Sequence, residues 1–162
     1  MPNVPVPQQL VNRESSRGRN TSGSPSAQRG TKADAGARLT VLFVDDVPDT
    51  RLMYQRFFEW QGARVIMAAD GVGALQAVLY ERPDVIVLDL AMPKITGWEV
   101  LQVLKKDPRT RRLPVLVLSG QNARDSAMEA GADSYCDKPC RPDVLLAEVL
   151  RLLREPSPRR DQ

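Results

Sequence analysis

Between residue 39 and residue 154 the chain alternates short, wholly apolar runs with longer stretches whose apolar residues recur every three or four positions. The first pattern is that of strands buried on both faces, and the second that of amphipathic helices. Leu39–Val44 reads as a strand ending in acids, and Asp49 or Thr50 is placed to cap a helix reaching Trp60, stopped by Gly62. Its expected apolar stripe is Leu52, Met53, Phe57 and Trp60. Arg64–Ala68 is the second expected strand. A helix from about Gly71 to Glu81 follows, with Leu75, Val78 and Leu79 facing inward. Pro83 and Asp84 break the chain before a third strand, Val85–Leu88. Thr96 or Gly97 opens a helix through Lys106 that carries Val100, Leu101 and Leu104. Pro114 precedes a fourth strand, Val115–Leu118, and a short helix over Asn122–Ala130 is stopped by Gly131. Ala132–Cys136 is the fifth strand. Pro142 sits in the first turn of a closing helix whose Val144, Leu145, Val149 and Leu152 pack inward.

Five successive strand–helix units predict an α/β fold, a doubly wound five-stranded parallel sheet with helices on both faces. In such sheets ligands bind beyond the carboxyl ends of the strands. The polar groups at those ends therefore matter most. The first strand ends in Asp45-Asp46, the third in Asp89, the fourth in Ser119, and the fifth leads through Tyr135 to Lys138-Pro139. Three carboxylates in a small space raise each other's pKa unless a cation neutralises them. A hard divalent ion with oxygen ligands, Mg²⁺ or alternatively Mn²⁺, suits that donor set. Asp46 is the better placed of the adjacent pair for direct coordination, with Asp45 acting directly or through water. Asp89 then offers one oxygen to the metal and one to phosphorus, while Lys138 and Ser119 serve the oxygens of a transferred phosphoryl group.

Each residue also has an ordinary reading. The paired acids can cap a helix, Asp89 can be a loop acid, Ser119 a turn residue, Lys138 a solvated lysine and Tyr135 a half-buried strand aromatic. Their joint placement at strand ends, where packing requires none of them, favours chemistry. A phosphatase with an aspartate nucleophile would be expected to carry a second acid two residues on, where this chain has Ala91.

Composition narrows the class further. The 162 residues suit one domain with tails, and the apolar runs fall short of the roughly 18 residues a bilayer helix needs. The opening residues lack an apolar signal core, so the expectation is a cytoplasmic protein with no membrane span. Histidine is absent, so any phosphohistidine must come from a partner. Cys136 and Cys140 match neither a CxxC motif nor a disulfide framework and read as incidental thiols. The net charge of +3 is uneven: residues 1–38 carry +4 and 39–154 carry −1. Residues 1–37, rich in Ser, Gly, Pro and Arg, read as a disordered basic tail, 38–154 as the folded domain, and 155–162 as a short C-terminal tail. A near-neutral core with no helix-turn-helix segment after it argues against direct DNA binding. The basic run from Lys105 to Arg112 reads as a solvated loop, and Gly71-Val-Gly73 holds too little of a nucleotide-binding fingerprint to suggest one.

The motifs together carry a resemblance. Val44-Asp45-Asp46 with Arg51, Asp89-Leu-Ala-Met-Pro93 with Gly97, Leu118-Ser119-Gly120, and Gly131 through Tyr135 to Lys138-Pro139 make the region Arg38–Arg154 similar to a response-regulator receiver domain of two-component signalling, of the single-domain type. The resemblance implies a flavodoxin-like (β/α)5 fold of strand order 2-1-3-4-5. It implies phosphorylation of Asp89 by a histidine kinase or phosphotransfer protein, with Mg²⁺ held by Asp45, Asp46, Asp89 and the backbone carbonyl of Ala91. Ser119 and Tyr135 are the implied switch residues, acting on a separate downstream protein, with homodimerisation left open. Enzymatic action would be limited to self-catalysed phosphoryl transfer and autodephosphorylation. Gly120 would leave the phosphate edge open. The segment from Ser119 to Lys138 is a few residues short for the family, Cys140 stands where an aromatic often follows Lys-Pro, and Ala91 has no polar group to guide water, which predicts slow phosphate loss. The competing function is a receiver-shaped scaffold that binds partners without phosphorylation.

Overall fold

The structure is a computed structural model, and it describes residues 38–155. The expectations for 1–37 and for the last seven residues of the C-terminal tail lie outside the described residues. Elements run β1 (Thr40–Val44), α1 (Pro48–Trp60), β2 (Arg64–Ala68), α2 (Gly71–Glu81) and β3 (Val85–Leu88), then α3 (Gly97–Lys106), β4 (Val115–Ser119), α4 (Arg124–Glu129), β5 (Ser134–Asp137) and α5 (Pro142–Arg154). The five strands are all parallel, in the order β2-β1-β3-β4-β5. The expected doubly wound α/β fold is the one observed.

Alternation along the strands divides the interior in two. Leu42, Val44, Ile86, Leu88, Val115 and Val117 face α2, α3 and α4. Val41, Phe43, Val85, Val87, Leu116 and Leu118 face α1 and α5. Because β1, β3 and β4 are covered on both sides, almost every residue in them is buried, which is why they read as continuous apolar runs.

The helix faces needed correction. In α1 the inward residues are Tyr54 and Phe58, with Phe57 half-buried, whereas Leu52 and Met53 are exposed and Trp60 is 76% exposed. Tyr54 and Phe58 both pack on Phe43, at ring-centroid distances of 5.4 and 5.0 Å. Two stripes of comparable hydrophobicity competed, and the sheet selected the one that meets Phe43. Leu79 of α2 and Val144 of α5 are likewise exposed, while Val78, Leu145, Val149 and Leu152 are buried as expected. Helix α1 opens on Val47 with no side-chain cap and Pro48 in its first turn, so neither Asp49 nor Thr50 caps it. The α2 cap is Asp70, which accepts from the Gly73 amide at 2.8 Å. Thr96 opens α3 as expected, in a capping box with Glu99.

The last third of the chain is tighter than expected. Helix α4 has only six residues, and β5 begins at Ser134 and ends at Asp137. Lys105 leaves the expected solvated run. It donates to the Leu113 carbonyl at 2.9 Å and pairs with Asp133 at 2.7 Å, so α3 is tied to the entrances of β4 and β5.

Candidate functional site

The carboxyl ends of β1, β3, β4 and β5 form one rim, because adjacent parallel strands in matched register end together. Val44 is level with Leu88, Leu88 with Val117, and Ser119 with Asp137. Past those ends the chain keeps bonding across the sheet. The Asp45 amide donates to the Ala68 carbonyl at 3.2 Å, Asp89 to Val44 at 2.9 Å, and Lys138 to Ser119 at 3.0 Å. These backbone bonds bring the acids and the lysine together with little freedom.

Lys138 is the hinge of the charge arrangement. Its Nζ donates to Asp45 Oδ2 at 2.6 Å and to Asp89 Oδ2 at 2.8 Å. The second oxygen of each acid is also engaged, Asp45 Oδ1 by the Val47 amide at 2.8 Å and Asp89 Oδ1 by the Ala91 amide at 3.1 Å. Both aspartates are about nineteen-twentieths buried, and Asp46 is half-buried beside them. Burial alone would depress the Lys138 ammonium, but the two carboxylates together outweigh it and hold its pKa above the ordinary lysine range.

One ammonium does not balance three carboxylates. Oxygens of Asp45, Asp46 and Asp89 lie within 4.8 Å of one another, the only such acid group found among the described residues. A hard, oxygen-only donor set with excess negative charge fits a divalent cation of the Mg²⁺ type.

Two further residues shape the rim. Arg51, on the first turns of α1, donates to the Asp45 carbonyl at 2.5 Å and braces the β1–α1 turn. Gly97 lets α3 start directly against the loop that follows β3: a Cβ there would sit 2.0 Å from the Asp89 carbonyl oxygen and 2.6 Å from Leu90 Cα. Its own amide donates to the Leu90 carbonyl at 3.2 Å. Gly120, by contrast, has open space where a side chain would be.

Ser119 is the last residue of β4, and it is fully buried. Tyr135 is buried in β5 with the Arg124 guanidinium 5.1 Å from its ring centre. Both grip the same residue: the Gln121 amide donates to Ser119 Oγ at 3.3 Å, and the Tyr135 hydroxyl donates to the Gln121 carbonyl. No spacing rule pointed to Gln121, because this link exists only once β4 and β5 lie side by side. The expected residues Asp45, Asp46, Asp89, Ser119 and Lys138 thus share one rim, with Ala91 joined to it through its amide and Tyr135 linked through Gln121.

A family model described as the response regulator receiver domain matches residues 41–150. Among curated proteins, Response regulator MprA of Mycobacterium leprae (strain TN) is 38% identical over 123 residues, covering 74% of this chain and 53% of that protein. Response regulator MprA of Mycobacterium sp. (strain KMS) is 39% identical over 121 residues, or 73% and 52%. The chain therefore spans about half the length of the curated relatives it matches. Chemotaxis response regulator CheY4 of Vibrio cholerae superposes with a TM-score of 0.66 at 31% identity, over 72% of this chain and 99% of that one. A second solved structure is the receiver domain of a sensor histidine kinase from Pseudomonas aeruginosa PAO1, described with a magnesium ion coordinated in its active site cleft. It superposes with a TM-score of 0.68 at 25% identity, over 74% of this chain and all of that one.

Proposed function

Since the chain belongs to the response regulator receiver family, we propose that it is a phosphoacceptor signalling module in which Asp89 takes a phosphoryl group from a partner histidine kinase or phosphotransfer protein. The observation that carries the reading is the shared contact of Lys138 with Asp45 and Asp89 beside a third acid, Asp46. A structural ion pair has no use for the surplus negative charge, whereas phosphoryl transfer does.

Asp45, Asp46 and Asp89, with the Ala91 backbone carbonyl, would hold Mg²⁺, which supplies charge neutralisation for the phosphoryl oxygens. The protein's own groups do the rest. An Asp89 carboxylate oxygen forms a bond to phosphorus as the bond from phosphorus to the donor's imidazole nitrogen breaks, and the imidazole leaves with the electron pair. Lys138 moves from carboxylate to phosphoryl oxygen without leaving the site, which accounts for its modest exposure of 24%. The Ser119 hydroxyl, released from its bond to the Gln121 amide, donates to another phosphoryl oxygen. Gln121 then shifts, and with it the Tyr135 hydroxyl bonded to its carbonyl. New charge-assisted bonds thereby favour one of two loop conformations.

The test is incubation with Mg²⁺ and acetyl phosphate followed by intact mass measurement. The expected result is a gain of one phosphoryl group, lost in Asp89→Asn and without metal. A protein that binds Mg²⁺ but never gains mass would instead be a phosphorylation-independent scaffold. In the same assay the label should persist for minutes after the donor is removed, because Ala91 offers no polar side chain to an attacking water, and Ala91→Asn should shorten it. Loss within seconds from the wild-type chain would contradict this.

A further inference from the structure

The acid rim occupies the carboxyl edge of the sheet, and the opposite edge carries a cavity that phosphoryl transfer leaves unused. Its volume is about 480 Å³, and it lies where β3 and β4 begin, between the end of α2 and the loop from α3 to β4. A cavity of that size suits a small organic molecule. Val78, Leu79, Pro83 and Leu113 give it an apolar wall. Arg82 lines it from the α2 side and Arg109 from the loop side. Leu79, which the helical pattern turned inward, is instead more than half exposed along this cavity.

The loop is built before any ligand arrives. Asp107 accepts from the Arg109 amide at 2.9 Å, and the Leu113 amide donates to the Thr110 carbonyl at 2.8 Å. The Thr110 hydroxyl donates to the Leu104 carbonyl at 2.8 Å, which ties the loop to α3. A wall fixed in this way spends little ordering entropy on binding.

Arg82 is the informative residue. It ends α2 at a φ of 47°, a left-handed conformation that glycine adopts freely and an arginine only at a cost. Its guanidinium has no hydrogen bond or ion pair among the described residues. The neighbouring acids are already engaged, Glu81 by Arg64, Asp84 by the Thr40 amide and Asp107 by Arg109. Arg109 keeps Nη1 free, because only its Nε and Nη2 contact Asp107. Arg111 and Arg112, both exposed, add positive charge to the same loop. A charged side chain held at a costly backbone position beside a cavity points to a use for that charge.

We propose that this cavity binds a small amphipathic carboxylate of the medium-chain fatty acid type, its head on Arg82 and Arg109 and its chain along Val78, Leu79, Pro83 and Leu113. The site stands apart from the acid rim and does not rest on the phosphoacceptor reading.

The lining sets the ligand class. Arginine's planar fork matches a carboxylate, and an uncharged chain would leave Arg82 without a partner. A bare inorganic anion would leave the apolar wall in water. Among the described residues lining the cavity no acid or amide is present to accept from a sugar or a nucleobase, and no aromatic ring offers a base a stacking surface.

The test titrates the full chain with octanoate, kept below its micelle-forming range, and follows backbone amide and arginine Nε–H resonances. Saturable shifts are expected at Leu79, Arg82, Thr110 and Leu113, weaker at high salt because the ion pair is screened. Acetate and methyl octanoate, each lacking half of the ligand, should produce none at equal concentration. Arg82→Gly should keep or raise the melting temperature, since glycine accepts the left-handed turn, yet weaken binding roughly tenfold. The site would be overturned by an equal response to methyl octanoate, by shifts that do not saturate or that spread over the exposed apolar residues of α1, or by unaltered binding in Arg82→Gly. Tighter binding of adenosine monophosphate, or of a peptide ending in leucine, at the same resonances would overturn the fatty acid assignment.

Discussion

Gly97 shows how much of the site depends on an atom that is missing. Backbone atoms of Asp89 and Leu90 occupy the space where its Cβ would go, and backbone cannot rotate aside as a flexible side chain can. Gly97→Ala should therefore destabilise the protein by about 1–3 kcal/mol or more, as overpacking does. It should also displace Asp89 relative to Lys138. A denaturant midpoint lowered at unchanged slope, together with slower acetyl phosphate labelling, is the expected pair of results. An alanine variant of wild-type stability would mean that α3 can back away from the loop at no cost. Gly120, one strand along the same rim, has empty space at its Cβ position and offers the contrasting control.

Helix α1 illustrates a choice that composition leaves open. It carries apolar residues nearly all round, and only those that meet Phe43 are buried. Phe58→Ala should cost about 3–5 kcal/mol, the usual range for emptying an aromatic position in a packed core. Trp60→Ser, on an exposed side chain of the same helix, should change stability by no more than about 0.5 kcal/mol. Thermal melts of the two variants check the assignment, and comparable losses from both would put Trp60 in a contact this fold does not contain. At the other side of the sheet, Lys105 reads from sequence as one base among several. Its pairing with Asp133 was hidden because the two residues meet only after α3, β4 and β5 have stacked.

Across the whole molecule, the rim of the sheet concentrates negative charge that a single lysine offsets only in part. Folding thus works against a local repulsion that a bound cation would relieve. Lys138→Met should lower stability in metal-free buffer by about 1–3 kcal/mol, because it leaves buried acids without their partner. Saturating Mg²⁺ should restore much of that, since a ligand at a hundred times its dissociation constant contributes about 2.7 kcal/mol. Thermal denaturation with EDTA and with Mg²⁺ measures both terms. Equal melting temperatures for variant and wild type without metal, or no response of either to Mg²⁺, would remove the charge argument. No helix among the described residues is long and apolar enough to cross a membrane.

What the sequence by itself determined was the order of elements, the parallel sheet and the short list of polar residues at strand ends. The reason is local: apolar periodicity, turn residues and acids just past apolar runs are properties of neighbours in the chain. The outward rotation of Leu52, Trp60, Leu79 and Val144 was decided by tertiary packing, because a helix with two eligible faces takes its orientation from the surface it meets. So were the grip of Lys138 on two aspartates 93 and 49 residues away and the Gln121 bridge from Ser119 to Tyr135. Such contacts depend on distances that only strand register and a single turn establish, and no spacing along the chain encodes them.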